Sequence, residues 1–125
     1  MRITLNMLKT AGACPKETKR FEKYFGEGGV VTKEKVMLAH KRNFPLWFAA
    51  SHFLKGKQMK QFRKLESIAD KKLHKITGAA YSNLYTAGHE HYNNYNVYSR
   101  IRDHAYKVNQ AECWLAFWEA GKLPR

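Results

Sequence analysis

The fold of this chain is decided by residues 62–118, which read FRKLESIADKKLHKITGAAYSNLYTAGHEHYNNYNVYSRIRDHAYKVNQAECWLAFW. Apolar and aromatic side chains, with one histidine, recur there in sixteen steps that cover 56 positions, a mean spacing of 3.5. This repeat is typical of helices that pack along a partner helix, and not of strands. It predicts a long helix with a continuous stripe, the apolar ladder. The members of the ladder are Phe62, Leu65, Ala69, Leu73, Ile76, Ala80, Leu84, Ala87, His91, Tyr95, Tyr98, Ile101, Ala105, Val108, Ala111, Leu115 and Trp118.

The ladder is compatible with two arrangements of the long helix. Glycine and asparagine are poor helix formers, and their density between Gly88 and Asn94 predicts a kink or a short break there. The region is either one rod of up to about 60 residues, roughly 90 Å long, or two antiparallel helices folded near Gly88. The unbroken ladder favours the rod or a gently bent version of it. Because the remaining helices can shield only part of such a stripe, we expect a homodimer, unless the surface of a partner covers the rest.

Shorter helices are predicted in the first 54 residues. Thr4 and Thr32 are good N-caps, and Pro15 and Pro45 suit the first turn of a helix. Strand signals are absent, since Val30-Val31 is too short to make a sheet. The predicted helices are Leu5–Thr10, Pro15–Phe25, Lys33–Arg42 and Leu46–Leu54.

The whole pattern predicts an all-α fold. Short N-terminal helices pack against a long C-terminal coiled-coil-like helix, which is straight or kinked. Residues 1–54 form an N-terminal helical module and residues 55–125 a basic, then aromatic, helical region, both within one domain, because 125 residues suffice for one core only. No apolar run reaches the length of a membrane span, and the N-terminus lacks the features of a signal peptide. Cys14 and Cys113 are expected to be free, buried thiols.

Positive charge is concentrated at the start of the long helix. The chain has a net charge of +13, of which residues 55–75 carry +6 and residues 76–125 only +1. A field of this sign attracts polyanions such as nucleic acid or an acidic protein surface. The candidate partner- or nucleic-acid-binding residues are Lys55, Lys57, Lys60, Arg63, Lys64, Lys71, Lys72 and Lys75.

No catalytic or metal-binding pattern emerges from the sequence. His89 and His91 are two positions apart, so on a helix they point in opposite directions and cannot share an ion. Ser51 and His52 are neighbours on a helix and diverge by about 100°, which argues against a nucleophile–base contact. His52 is interpreted as a hydrogen-bonded core histidine. We therefore expect no metal, no cofactor and no enzymatic activity.

Aromatic side chains crowd the second half of the chain. Tyrosine and tryptophan anchor many protein interfaces because they offer a large contact area at a low entropic cost. Those that lie off the ladder, Tyr85, Tyr92 and Tyr106, are candidate interface residues. The candidates for the core or for self-association are Leu84, Tyr95, Tyr98, Ile101, Leu115 and Trp118.

A series of short motifs runs through residues 4–54. It consists of Ala13-Cys14, Phe21, Phe25-Gly26, Val30-Val31-Thr32 and Phe48-Ala49-Ala50-Ser51-His52-Phe53-Leu54. This series resembles the N-terminal module of small, mostly uncharacterised accessory proteins of tailed bacteriophages and prophages. The chain departs from that pattern at Lys16-Glu17 and at Pro45-Leu46. The resemblance implies a phage accessory protein in the cytoplasm of an infected bacterial host, and it transfers no catalytic residue.

These observations favour a non-enzymatic phage protein that inhibits a host nucleic-acid-processing machine through its basic helical face. An anti-CRISPR protein or a transcription inhibitor would be an example, and its partner would be a host protein or a ribonucleoprotein complex. The alternative is a protein that binds DNA or RNA directly through lysine and arginine contacts to phosphates. A third possibility is a structural or virion-associated protein.

Overall fold

A computed structural model describes residues 1–86 and 91–125, with side chains described outside residues 84–94. Within these ranges the chain forms six α-helices and one small sheet. The all-α class predicted from the sequence is confirmed, as is the packing of short N-terminal helices against a long C-terminal helix. In chain order the elements are β1 (Arg2–Thr4), α1 (Leu5–Thr10), α2 (Pro15–Phe25), β2 (Gly28–Val30), α3 (Lys33–Lys41), α4 (Leu46–Phe53), α5 (Lys57–Thr86) and α6 (His91–Gly121).

Local capping explains where the short helices begin. The Thr4 hydroxyl accepts a hydrogen bond from the Met7 backbone N–H, and the Thr32 hydroxyl accepts one from that of Lys35. These bonds satisfy N–H groups that have no partner in the first turn of a helix. Pro15 occupies the first position of α2, where its missing N–H costs nothing. The bounds of α1 and α2 agree with the prediction, while α3 and α4 each end one residue earlier.

The prediction that the N-terminal half contains no sheet is wrong. Strand β1 pairs antiparallel with β2, with Ile3 opposite Gly29 and Thr4 opposite Gly28. Gly28 has φ +87°, and a Cβ there would lie 2.2 Å from the Ile3 carbonyl oxygen, so only glycine allows the strands to approach this closely. The pairing joins residues more than twenty positions apart, and the local pattern of Val30-Val31 does not indicate it.

The preferred rod is also wrong, because α5 and α6 pack side by side and antiparallel. The Asn109 amide donates to the Asp70 carboxylate at 2.9 Å, and Lys72 pairs with Glu112 at 3.1 Å. In one straight helix residues 70 and 109 would be about 58 Å apart, at roughly 1.5 Å per residue. The buried positions of the two helices, such as Ala69 and Ala80 in α5 and Ala105 and Asn109 in α6, therefore face each other within one chain, while the ladder members Ile76, Ile101 and Val108 stay exposed. The predicted break near Gly88 lies outside the described residues.

The core lies at the base of this helical pair, where the N-terminal module covers it. Phe62 near the start of α5 and Phe117 near the end of α6 are almost completely inaccessible to solvent. Side chains of α3 and α4 complete the same core, so residues 1–54 and 55–125 share it. The buried cluster consists of Val36, Ala39, Leu46, Ala50, Leu54, Phe62, Ala69, Cys113, Trp114, Ala116, Phe117 and Ala120.

Two predictions about burial are wrong. His52 is exposed at the surface of α4, where its ring stacks on Phe48 with a centroid distance of 4.2 Å. Cys14 is exposed, whereas Cys113 is buried as predicted. His52 is exposed because it lies on the side of α4 that faces away from the core, and a helix at the surface hides only one side. Cys14 is exposed because it precedes α2 as its N-cap residue.

Candidate interaction surface

A row of lysines runs along the outer side of α5. Lys57, Lys60, Lys64, Lys71 and Lys75 are separated by three, four, seven and four residues, so they fall on one side of the helix. That side is opposite the buried positions Phe62, Ala69, Leu73 and Ala80. From Lys57 to Lys75 the row covers about 27 Å of helix at roughly 1.5 Å per residue. All five lysines are exposed.

One apolar side chain lies within this row. Ile68 is four residues from Lys64 and three from Lys71, and it is 56% exposed. We call the surface formed by Lys57, Lys60, Lys64, Ile68, Lys71 and Lys75 the basic face. Ile68 was not predicted as a surface residue, because the ladder register passes through Ala69. The signal was nevertheless present, since Ile68 keeps the helical spacing of the lysines.

The other predicted basic residues lie off this face. Lys72 forms its ion pair with Glu112 on the side of the pair nearest α6. Arg63 lies on the flank, close enough to Glu66 to oppose part of the rise in the pKa of that carboxyl group. Lys55 precedes the helix and is exposed. The structure therefore brings five of the eight predicted basic residues onto one surface.

The carboxylates of α5 point away from the basic face. Asp70 accepts a hydrogen bond from Asn109 of α6, and Glu66 is half-buried beside it. Burial raises the pKa of Glu66, and the negative charge of Asp70 raises it further. Within residues 1–86 and 91–125, none of the five lysines of the basic face forms an ion pair. Their charge is therefore available to a partner.

A group of tyrosines occupies one lateral side of the helical pair. Tyr98 packs against Tyr81 across the pair at 5.7 Å and against Tyr95 along α6 at 6.3 Å, both between ring centroids. The Arg102 guanidinium lies over the Tyr98 ring. Tyr106, one of the three predicted interface candidates, is exposed. The predicted side chains of Leu84, Tyr85 and Tyr92 lie outside the described part of the structure.

The opposite lateral side is apolar and open to solvent. Ile76 of α5 and Ile101 and Val108 of α6 line a shallow depression there with His104. Val97 continues this side toward the start of α6 and is 54% exposed. Ile101 was predicted in the core or at a self-association surface, and the structure places it on this open side. Leu115 and Trp118 are half-buried, and Trp118 packs against the core.

Ser51 and His52 contact each other, contrary to the prediction, but not as a catalytic pair. The Ser51 hydroxyl lies 3.3 Å from His52 Nδ1, and the same nitrogen lies 2.9 Å from the Phe48 carbonyl oxygen. A carbonyl can only accept, so the shorter contact requires a proton on Nδ1. A protonated Nδ1 cannot take the proton of Ser51. The pair therefore lacks the geometry of a nucleophile and its base.

Cys113 is equally unsuited to nucleophilic chemistry. Burial raises the pKa of its thiol to about 12, and the nearby Asp70 and Glu66 carboxylates add to this shift. A thiol that stays protonated at neutral pH is neither a nucleophile nor a metal ligand. Within the described residues, no group of three or more His, Cys, Asp or Glu side chains is close enough to hold a metal ion. The predicted arrangement of His89 and His91 lies outside the described side chains.

Comparison with models of known protein families, with curated proteins and with solved structures found no match to this chain. Among the described helices, none combines the length and the apolar composition that a bilayer span requires.

Proposed function

We propose that this chain is a non-enzymatic binding protein whose basic face docks onto an acidic surface of a protein complex. The observation that carries the proposal is the row of five exposed lysines on the side of α5 opposite the core. Such a row, with no carboxylate among its members, attracts a negatively charged partner over several ångströms and raises the rate of encounter. Because α5 packs against α6, the helix is held in place and the relative positions of the five lysines are fixed.

Ile68 favours a protein partner over nucleic acid. Protein interfaces combine a desolvated apolar centre with a polar or charged rim. In the basic face the exposed Ile68 side chain is the centre, and Lys64 and Lys71 are its nearest rim residues. A phosphate backbone has no apolar surface for the Ile68 side chain to contact. A shallow apolar pocket on an acidic protein surface would provide such a contact.

The resemblance to phage accessory proteins suggests which partner this is. We propose a host machine that handles nucleic acid, because such machines expose acidic surfaces or bound RNA, and the chain would inhibit that machine by occupying the surface. An anti-CRISPR protein or an inhibitor of transcription fits this description. Two observations support a non-enzymatic role: the His52 nitrogen that faces Ser51 also lies within hydrogen-bond distance of the Phe48 carbonyl oxygen, and burial raises the pKa of the Cys113 thiol to about 12.

Direct binding of nucleic acid is the second candidate, and the uninterrupted charge of the basic face favours it. Five lysine–phosphate contacts would make the logarithm of the affinity for duplex DNA fall with the logarithm of salt concentration, with a slope of about −4.5. Binding to a protein partner through mixed apolar and polar contacts would depend less steeply on salt concentration.

Two sets of charge-reversal variants test the proposal. Lys60/Lys64/Lys71→Glu alters the basic face, and Lys9/Lys16/Lys19→Glu, on exposed lysines of α1 and α2, makes the same change in net charge elsewhere. Capture from a nuclease-treated bacterial lysate should be lost with the first variant and retained with the second. Circular dichroism should show unchanged helicity in both. Equal loss in the two variants would contradict the proposal, because it would show a dependence on net charge alone.

The variant Ile68→Ser separates the two candidates. It should weaken binding to the captured protein by about tenfold or more and leave affinity for a short DNA duplex unchanged. If capture depends on nucleic acid and is lost after nuclease treatment, and Ile68→Ser has no effect, direct nucleic-acid binding replaces the proposed function.

A further inference from the structure

The N-terminal module contains an apolar cavity that the basic face does not explain. It has a volume of about 350 Å³, is open to solvent, and lies among both strands, α1, α2, α3, α4 and the end of α6. Its lining is mostly apolar and includes the aromatic rings of Phe21, Phe25, Phe44, Phe48, Trp114 and Phe117. Binding sites for small molecules are typically concave, mostly apolar and about 300–1,000 Å³ in size.

The aromatic rings of the cavity contact one another but do not close into a fully buried core. Phe25 packs against Phe21 at 5.2 Å and against Phe44 at 5.6 Å, measured between ring centroids. Yet Phe21, Phe25, Phe44 and Phe48 remain only half-buried. Protein interiors contain few voids larger than a water molecule. Apolar surface left uncovered within a concave site is therefore the surface that a ligand would bury.

The polar groups at the cavity carry an unbalanced positive charge. Lys35 Nζ donates one hydrogen bond, to the Val30 carbonyl oxygen at 2.9 Å, and within the described part of the chain it forms no ion pair. The Glu17 carboxylate is already neutralised, because the Arg20 guanidinium contacts both of its oxygens at 2.9 Å. An ammonium group has three donors, so two of those on Lys35 remain for a ligand.

We infer that this cavity binds an apolar monocarboxylate, such as a medium-chain fatty acid. The apolar body would lie among the aromatic rings, and the carboxylate would accept hydrogen bonds from Lys35 Nζ at the rim. Charge-assisted hydrogen bonds of this kind are about twice as strong as neutral ones, and they would fix the direction in which the ligand enters. The inference is independent of the proposed docking function, because none of the cavity residues belongs to the basic face.

Isothermal titration calorimetry with decanoate and with decylammonium tests the inference on the full chain. Decanoate should bind saturably at one site, and decylammonium should bind at least about tenfold more weakly because its charge is repelled by Lys35. Absence of saturable decanoate binding would overturn the inference. Equal affinity for the two probes would overturn the role of Lys35.

Variants locate the binding in this cavity. Lys35→Met should weaken decanoate binding by about tenfold, whereas Lys33→Met, on an exposed lysine of the same helix that does not line the cavity, should have no effect. Ala49→Phe and, independently, Ala13→Phe should fill the space and abolish binding, with helicity checked by circular dichroism. If decanoate affinity survives in a folded cavity-filled variant, it binds elsewhere and the inference fails.

Discussion

The two ends of the α5–α6 pair differ in what covers them. At the base, Phe62 and Phe117 are fully buried because α3 and α4 pack against the two helices and cover these rings. In the distal half, which comprises residues 67–83 and 95–111, the buried contacts are made mostly by alanines such as Ala80 and Ala105, and larger apolar side chains remain exposed. Two helices alone can hide one side of each helix only.

The same apolar periodicity therefore corresponds to different degrees of burial at the two ends of the pair. At the base, a large apolar residue on the ladder contributes to stability. In the distal half, Ile76, Val97 and Ile101 lie on the open apolar side and contribute surface. The distal half therefore leaves apolar side chains uncovered, whereas at the base the same kind of side chain holds the fold together.

The largest effect should come from truncating a buried ring at the base. Phe62→Ala should lower the free energy of unfolding by about 3–5 kcal/mol, because a cavity remains that the neighbouring helices cannot fill. The matched distal variant Ile76→Ala should cost less than about 1 kcal/mol, since this side chain is 42% exposed. Urea denaturation measures both changes. Similar losses of unfolding free energy in the two variants would show that the base and the distal half are equally well packed, and would contradict the difference described above.

An intermediate effect should come from the sheet that closes the module over the base. In Gly28→Ala, the new Cβ meets the backbone of β1 at a positive φ, so we expect a loss of at least about 1–3 kcal/mol. At Gly121, by contrast, a Cβ would meet only the flexible end of the Met1 side chain. Gly121→Ala should thus cost clearly less than Gly28→Ala in thermal unfolding. The reverse order would mean that the β1–β2 pairing contributes little to the base.

The smallest effect concerns the pH dependence at Glu66, which lies between the two ends. Its pKa in the folded state is raised from 4.5, first by burial and then by Asp70. The stabilising contribution of the protonated group is thus fully present below pH 4.5 and is lost as the pH rises through the folded pKa. Glu66→Gln should raise the melting temperature at pH 7 by no more than about 2 °C. The gain should disappear at pH 4, and a gain that grows on acidification would contradict the assigned direction.

Local chemistry made the short helices predictable. The caps at Thr4 and Thr32 and the proline at the start of α2 each act within one turn of helix, so the sequence shows them directly. The sequence also shows directly that basic residues are concentrated at the start of the long helical region. It does not show which of them form the basic face and which one pairs with Glu112. Ile68 was missed because its exposure depends on which side of α5 meets α6.

Long-range pairings were not predictable from these signals. The spacing of the ladder is the same in a rod and in two antiparallel helices, because helical periodicity records which side is apolar and not what covers it. The three-residue strands form only because the chain returns Gly28 to within reach of Ile3. The apolar cavity likewise gathers rings from three helices and from the loop before α4, and no local pattern assigns Phe21 and Trp114 to the same wall.

The helical class, the starts of the short helices and the high positive charge follow from the amino-acid sequence alone, because they depend on backbone preferences and composition within a few residues. Tertiary contacts were needed to fold α5 back on α6 and to leave exposed the side of α5 that bears the five lysines and Ile68. They also decided that the aromatic rings of the N-terminal module surround a cavity. Each of these depends on contacts between residues far apart in the chain, and their geometry is set by packing and not by local propensity.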